Sequence, residues 1–338
     1  MSHSRTFIIA EAGVNHNGSL DMALELVTAA KAAGADAVKF QTFDADKLAT
    51  QSAELAPYQK AAADAAKTQH EMLKKLQLTV DEFREIKSHC EEQRIQFLSS
   101  PFDNAAAEDL YSLGLRLFKI PSGEITNIPL LEFVGSKNCD VILSTGMSWL
   151  GEIEFAILSL QRSGAKSLTL LHCVTEYPAP AEQINLRAMV TLRNSFGLPV
   201  GYSDHSKGTE IAVAAVALGA TVIEKHFTLD TELPGPDHSA SLSPDTFKGM
   251  VGAIRNVELA LGDGTKKPAP CEIPNMDVAR KSIVAARNLN EGQLLKESDL
   301  AIKRPGSGIA PKHLGALVGR RVRQNIQADT LVDWGDLL

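Results

Sequence analysis

The chain has 338 residues, 44% apolar and 22% charged, with a net charge of −7. These are the proportions of a globular protein with no basic stripe for nucleic acid, and no run of about 18 apolar residues is present to span a membrane. Aromatic residues make up only 5%, so the core must come from Ala, Val, Leu and Ile.

Residues 7–10 are a buried-strand pattern ending in Glu11 and the stretch EAGVNHNG. Ser19 is a good N-cap for a helix to about residue 33, with Leu20, Ala23, Leu24 and Val27 at helical spacing. Residues 36–41 give a second strand carrying Lys39 and Gln41. Residues 42–66 form an insertion longer than an ordinary βα loop, the kind that serves as a lid or binding loop. Helical patterns resume over 68–76 and 80–93, the second capped by Thr79.

The alternation then becomes regular. Strands are expected at 95–98, 115–120, 141–143 and 167–171, and around Val200 and Val222, each followed by a helical segment, the last over 244–261. They end in Ser99 and Ser100, in Lys119 with Ser122 and Glu124, in Ser144 and Thr145, in His172 to Tyr177, in Ser203-Asp204-His205 and in Glu224-Lys225-His226. Eight βα units in about 260 residues is the count and size of a (β/α)8 TIM barrel. The rival fold, a doubly wound open sheet, carries a G-x-G-x-x-G turn after its first strand, and EAGVNHNG lacks it. The barrel is therefore expected over 1–262, a Gly, Lys and Pro-rich linker over 263–277, and a small β-rich domain with frequent turns over 278–338.

Cys90, Cys139, Cys173 and Cys271 form no CxxC pair, and the first residues are too short and polar for a signal peptide. Free thiols in a cytoplasmic protein are expected.

Chemistry in such a barrel gathers at the C-terminal ends of the strands. Every expected strand supplies a group there that can bind or react. Lys39, Lys119 and Lys225 follow apolar residues; they can reach solvent, form a Schiff base, or neutralise a phosphate and a carboxylate. The serines at the same height favour an anion site. His205 and His226 fall at the same end of adjacent parallel strands, where two imidazoles can share one metal ion with open coordination positions. Asp237, in a Gly-Pro-Asp-His turn, reads equally as a sugar-binding carboxylate or a turn former.

These motifs, together with VKFQT at 38–42, KIPSGE at 119–124, STGM at 144–147, YSDH at 202–205, EKHF at 224–227 and KRPGSG at 303–308, resemble the bacterial sialic acid synthases, including N-acetylneuraminate synthase and its legionaminic acid relatives. The likeness runs in order along nearly the whole chain, and the C-terminal stretch resembles that family's antifreeze-like SAF domain. It implies a transferase that condenses phosphoenolpyruvate with N-acetylmannosamine or a close 2-acetamido sugar and releases phosphate. It also implies a divalent metal, Mn2+ or Mg2+, held by His205 and His226. Lys39, Ser100, Lys119, Ser122, Ser144 and Ser203 would bind phosphoenolpyruvate. Gln41, Glu124, Tyr177 and Asp237 would hold the sugar, with Glu11 and Glu124 as the catalytic carboxylates. The resemblance further implies a domain-swapped homodimer in which Arg304 of one copy reaches the sugar of the other. Thr175 stands where some relatives have Asn, and residues 173–178 and 253–257 lean toward the legionaminic relatives. A metal-free Schiff-base aldolase is the rival chemistry. An ice-binding role for the small domain conflicts with the charge of Lys303, Arg304, Arg320, Arg321 and Arg323.

Overall fold

The computed structural model describes residues 5–56 and 66–338, so part of the insertion expected over 42–66 lies outside the described residues. Two compact units are present, Met1–Asp263 and Gly264–Leu338.

In the first unit, eight strands form one sheet: β1 (Phe7–Gly13), β2 (Ala37–Thr42), β3 (Gln96–Pro101), β4 (Leu117–Ile120), β5 (Asp140–Ser144), β6 (Ser167–His172), β7 (Val200–Asp204) and β8 (Val222–His226). Their order is β3-β2-β1-β8-β7-β6-β5-β4, and every ladder is parallel. The end strands β3 and β4 lie side by side, so the sheet curls into a nearly closed barrel. Helices follow the strands, among them α1 (Leu20–Ala32), α2 (Ala45–Leu48), α3 (Gln69–Leu76) and α4 (Val80–Gln93). The expected caps are in place: Ser19 accepts from Met22 N, and Thr79 and Glu82 form a reciprocal capping box.

Strands buried on both faces read as apolar runs, and here the two faces separate cleanly. Ile8, Ala10, Val38, Phe40, Tyr202 and Ile223 pack outward into the layer between sheet and helices. Ile9, Ala37, Leu98, Ile142, Leu171 and Val222 pack inward as an apolar plug. A Cβ on Gly201 would come within 2.3 Å of Val222 O, so glycine is what lets β7 lie close against β8.

The second unit is built around Ile283, Leu289, Leu295, Leu317, Val322 and Val332. An antiparallel pair, β9 (Ser282–Ala285) and β10 (Leu300–Lys303), is extended by isolated bridges such as Leu289 with Ile326 and Val322 with Leu337. The stretch expected to be plain linker is partly helical: Ile273–Ala279 forms a short helix, because Pro274 fits its first turn, where a missing N–H costs nothing. All four cysteines are free thiols.

Candidate active site

Successive side chains of a strand point to opposite faces, so the next inward residue above the apolar plug lies two positions further along. Ile9 gives Glu11, Ala37 gives Lys39 and then Gln41, Leu98 gives Ser100, and Leu117 gives Lys119. Ile142 gives Ser144, Leu171 gives Cys173, Gly201 gives Ser203 and then His205, and Val222 gives Glu224 and then His226. Each of these polar successors lines one cavity of about 400 Å³ at the C-terminal end of the barrel, as do Ser122, Thr175 and Tyr177.

The floor is an alternation of charges. Lys39 Nζ lies 2.7 Å from Glu11 Oε2 and 3.8 Å from Glu224 Oε2, and donates to Ser100 Oγ at 3.1 Å. Lys119 Nζ lies 3.4 Å from the other oxygen of Glu224, which also accepts from Ser203 Oγ at 2.9 Å. Burial pushes Glu11 up to about 7, with Glu224 adding to the rise and Lys39 opposing it. Burial would raise Glu224 as well, but Lys119 and Lys39 together hold it below the usual carboxylate range. Burial lowers Lys119. It would lower Lys39 too, yet Glu11 and Glu224 keep that ammonium above its ordinary value. The floor therefore holds two lysines, one carboxylate kept ionised by them and one carboxyl poised near neutrality.

Hydroxyls converge beside Lys119. Ser122 Oγ accepts from Gly146 N at 2.9 Å, while buried Ser144 Oγ and Thr175 Oγ1 have no hydrogen-bond partner among the described residues. A Cβ on Gly146 would come within 2.9 Å of Ser122 Oγ and within 2.5 Å of Thr175 Oγ1, so only glycine leaves this cradle open. A lysine ammonium and converging hydroxyls are groups that bind a phosphate.

On the β7–β8 side the rings of His205 and His226 stand 5.6 Å apart, and Tyr177 lies 4.2 Å from the first and 5.4 Å from the second. His205 Nδ1 donates to Val174 O at 2.6 Å, which fixes the tautomer and makes Nε2 the acceptor nitrogen, 3.4 Å from Ser203 Oγ. His226 Nδ1 is buried without a hydrogen-bond partner. Burial keeps both imidazoles below their ordinary value, His205 at about 4. Two neutral imidazoles, each with an acceptor nitrogen, fit a divalent cation. Among the described residues no group of three or more His, Cys, Asp or Glu is arranged as a metal cage, so substrate or water would complete the coordination.

Around Gly13, Gln41 Nε2, Glu11 Oε1 and Asp237 Oδ2 face one point, and Gln41 donates to Glu11 at 3.3 Å. Asp237 Oδ2 is also 3.8 Å from His226 Nδ1, and burial raises its carboxyl to about 6. Neither Asp237 nor Glu124 is part of the cavity lining; Glu124 sits in the turn after β4, with its carboxylate accepting from Asn127 Nδ2 at 2.6 Å. Arg304 belongs to the second unit, is exposed, and donates through Nε to Ala279 O at 3.1 Å.

Lys225, one of the three lysines singled out as anion or Schiff-base candidates, takes no part in the cavity. It points to the outer face, 2.8 Å from Asp204 Oδ2, with both side chains wholly buried, and donates to Ser206 O at 2.6 Å. Glu224 was given no role by the sequence and turns out to be the hub of the floor; its place two residues before His226 is the signal that points to it.

A family model described as the NeuB family matches residues 26–266, and a SAF domain model matches residues 280–338. The chain is 47% identical to the N,N'-diacetyllegionaminic acid synthase of Campylobacter jejuni over 97% of this chain and 99% of that protein. It is 48% identical to the protein of the same name from Legionella pneumophila, over 97% and 93%. The crystal structure of the N-acetylneuraminic acid synthetase of Leptospira borgpetersenii, in complex with citrate, superposes with a TM-score of 0.73 at 35% identity, covering 81% of this chain and 91% of that one.

Proposed function

The chain belongs to the NeuB family, and on that premise we propose that it is a nonulosonic acid synthase. It condenses phosphoenolpyruvate with N-acetylmannosamine or a close 2-acetamido aldohexose to give the nine-carbon acid and phosphate. One observation carries the reading: a single cavity joins a lysine and hydroxyl phosphate cradle to two neutral histidines and a carboxyl poised near pH 7.

Lys39 and Lys119 hold the phosphate and carboxylate of phosphoenolpyruvate, with Ser100, Ser122, Ser144 and Ser203 completing the anion sites. Gln41, Tyr177 and Asp237 hold the sugar, and Glu124 remains a further candidate for it. His205 and His226 are the residues that would bind Mn2+ or Mg2+, and such a cation supplies Lewis-acid polarisation of the sugar aldehyde. C3 of phosphoenolpyruvate adds to that aldehyde, and positive charge develops at C2. Glu224 is the fixed anion on the floor that would stabilise it. Glu11, with its carboxyl near neutrality, is matched to moving a proton during the addition of water at C2. Phosphate then leaves with its bridging oxygen as the C2–O bond breaks.

The test is phosphate release from phosphoenolpyruvate labelled with 18O at the bridging position, with Mn2+ and each candidate sugar. Label recovered in phosphate supports the reading. Label retained in the product rejects C–O cleavage, and turnover that ignores chelator and is trapped by borohydride with pyruvate replaces the reading with a Schiff-base aldolase. A homodimer in which Arg304 of one copy reaches the sugar held by another is part of the same proposal. Arg304→Ala is then expected to raise the sugar KM far more than the phosphoenolpyruvate KM, and an unchanged sugar KM removes Arg304 from the site.

A further inference from the structure

The segment after β8 leaves the sheet at Phe227 and comes back to it at Leu242, and it carries Asp237. Backbone closes its neck: Thr228 N donates to Leu242 O at 3.0 Å, and Leu242 N to His226 O at 2.9 Å. Among the described residues no hydrogen bond holds the Asp237 carboxylate itself, whose contact with His226 Nδ1 is 3.8 Å. The place of that carboxylate is therefore set by its backbone and by what the backbone is tied to. The ties run to the loop after β1. Buried Asn15 donates through Nδ2 to Phe227 O and to Ser241 Oγ, both at 2.9 Å, and Ser241 Oγ donates to Asp237 O at 2.6 Å. Asn17 Nδ2 donates to Pro234 O at 2.9 Å, which leaves its Oδ1 to accept from His238 Nε2 at 3.3 Å. The His238 ring is wholly buried, and its Nδ1 lies 2.7 Å from Thr228 Oγ1. Gly235 sits against this pair: a Cβ there would come within 2.7 Å of His238 Cδ2 and within 2.8 Å of Asn17 Oδ1.

We propose that Asn15, Asn17 and His238 are positioning residues for the sugar: they pin the segment 228–241 so that the Asp237 carboxylate stands beside Gln41 and Glu11. The inference rests on reading Asp237 as a group that holds the sugar. The loop that makes the ties follows directly on Glu11 and Gly13, so one stretch of chain keeps the proton-handling carboxyl and the sugar carboxylate in a common frame. Asn15 Oδ1 is buried with no partner among the described residues, so the two bonds from its NH2 group are what an asparagine contributes here. A segment left free would have to be ordered each time the sugar binds, and that ordering weakens affinity. Tying it beforehand removes the cost. A carboxylate displaced by about 1 Å loses on the order of 10²-fold.

The experiment is steady-state kinetics of the full-length protein with phosphoenolpyruvate and Mn2+. The sugar is whichever of N-acetylmannosamine and 2,4-diacetamido-2,4,6-trideoxymannose the wild type turns over faster. Asn17→Gly removes the amide and suits the left-handed backbone there, where φ is 50°. It is expected to raise the sugar KM by about tenfold or more while the phosphoenolpyruvate KM stays within about twofold. Asn15→Ala should behave alike; where it fails to fold, half-buried Asn17 carries the test. His238→Gln, which keeps a donor near the place of Nε2, should lose less than His238→Phe. The deciding step is a cycle with Asp237→Ala. Because Asn17 acts through Asp237, adding Asn17→Gly to Asp237→Ala should raise the sugar KM no further. Additive losses overturn the inference, as does a rise in both KM values together or a sugar KM that Asn17→Gly leaves unchanged. A wild-type sugar KM in Asp237→Ala overturns it by removing the carboxylate from the sugar site. No phosphate release by the wild type with either sugar defeats the synthase reading itself.

Discussion

Two sets of buried charges sit on the same two strands, one residue apart. Ser203, His205, Glu224 and His226 face the cavity, whereas Asp204 and Lys225 face the helices. The inner set is crowded and unbalanced: Glu224 answers to two lysines, Glu11 is pushed up to about 7, and Ser144 Oγ and Thr175 Oγ1 nearby lack partners. The outer set is closed. Lys225 has Asp204 and the Ser206 carbonyl, and Asp204 also accepts from Ser206 N at 2.9 Å and Oγ at 2.6 Å. Unmet demand marks groups that wait for a ligand; satisfied demand marks a clamp. Here the clamp ties together the two strand ends that carry His205 and His226.

The largest expected effect comes from the inner set. Glu11→Gln should lower kcat by about 10³-fold while phosphoenolpyruvate still binds, and normal turnover would remove Glu11 from the proton-handling role. The same variant tests the charge imbalance through pH. Because the folded carboxyl lies above its ordinary value, Glu11 favours the fold at low pH, and that contribution is lost as pH rises from about 4.5 toward 7. Melting curves should therefore show Glu11→Gln gaining on the wild type between pH 5 and pH 8. A constant difference in Tm across that range would mean that the carboxylate is satisfied and the contrast with the outer set is false.

The outer set should respond the other way. Lys225→Met strands a buried carboxylate, which costs about 3–5 kcal/mol of stability. Asp204→Asn combined with Lys225→Met should recover more than half of that loss in denaturant titrations. Turnover per folded molecule, measured well below Tm, should stay within about tenfold of the wild type, a small part of the range a general acid–base group commands. A kcat loss as deep as that of Glu11→Gln, with stability intact, would make the two sets one functional unit.

The period of two that separates these sets was present in the sequence, and it explains what was legible there. Reading apolar runs that end in polar residues located all eight strands and most of the polar side chains of the cavity, because a parallel barrel strand buries both faces and can tolerate charge only where the barrel opens. Counting by twos from His226 marks Glu224 as inward and Lys225 as outward, a difference that three adjacent polar residues conceal. Met72 and Leu73 were less visible: they lie on a helical stretch with no strand-end signal, and α3 that carries them is tied to α2 through Asp46 beside the cavity. Asp237 could not be decided from its turn sequence, since its nearness to Gln41 and Glu11 depends on the contact between the β8 loop and Gly13. Glu124 follows a strand end as the others do, but a tight turn carries it out of the lining and onto Asn127.

The smallest effect is expected at the opposite end of the barrel, which sharpens the comparison by offering charge without chemistry. Arg255, on the helix Pro244–Leu261, lies 2.8 Å from Asp36 Oδ2 and donates to Thr6 O at 2.8 Å and to Glu258 Oε1 at 3.0 Å. Asp36 in turn accepts from Ile8 N at 2.9 Å, so the cluster fastens the start of β1 to the last helix of the barrel. Its ion pairs are made, although Arg255 Nε is buried without a partner, and the Arg255 and Asp36 side chains are each 21% exposed, so water screens the charges and can replace lost partners. Arg255→Ala should therefore cost only about 1–2 kcal/mol, mostly through its hydrogen bonds to a carboxylate and a backbone carbonyl, and leave kcat and both KM values unchanged. A cost as large as that of Lys225→Met would mean that burial is not what separates a clamp from a surface network. A change in kcat would mean that the N-terminal end of the barrel reaches the chemistry through β1 and Glu11.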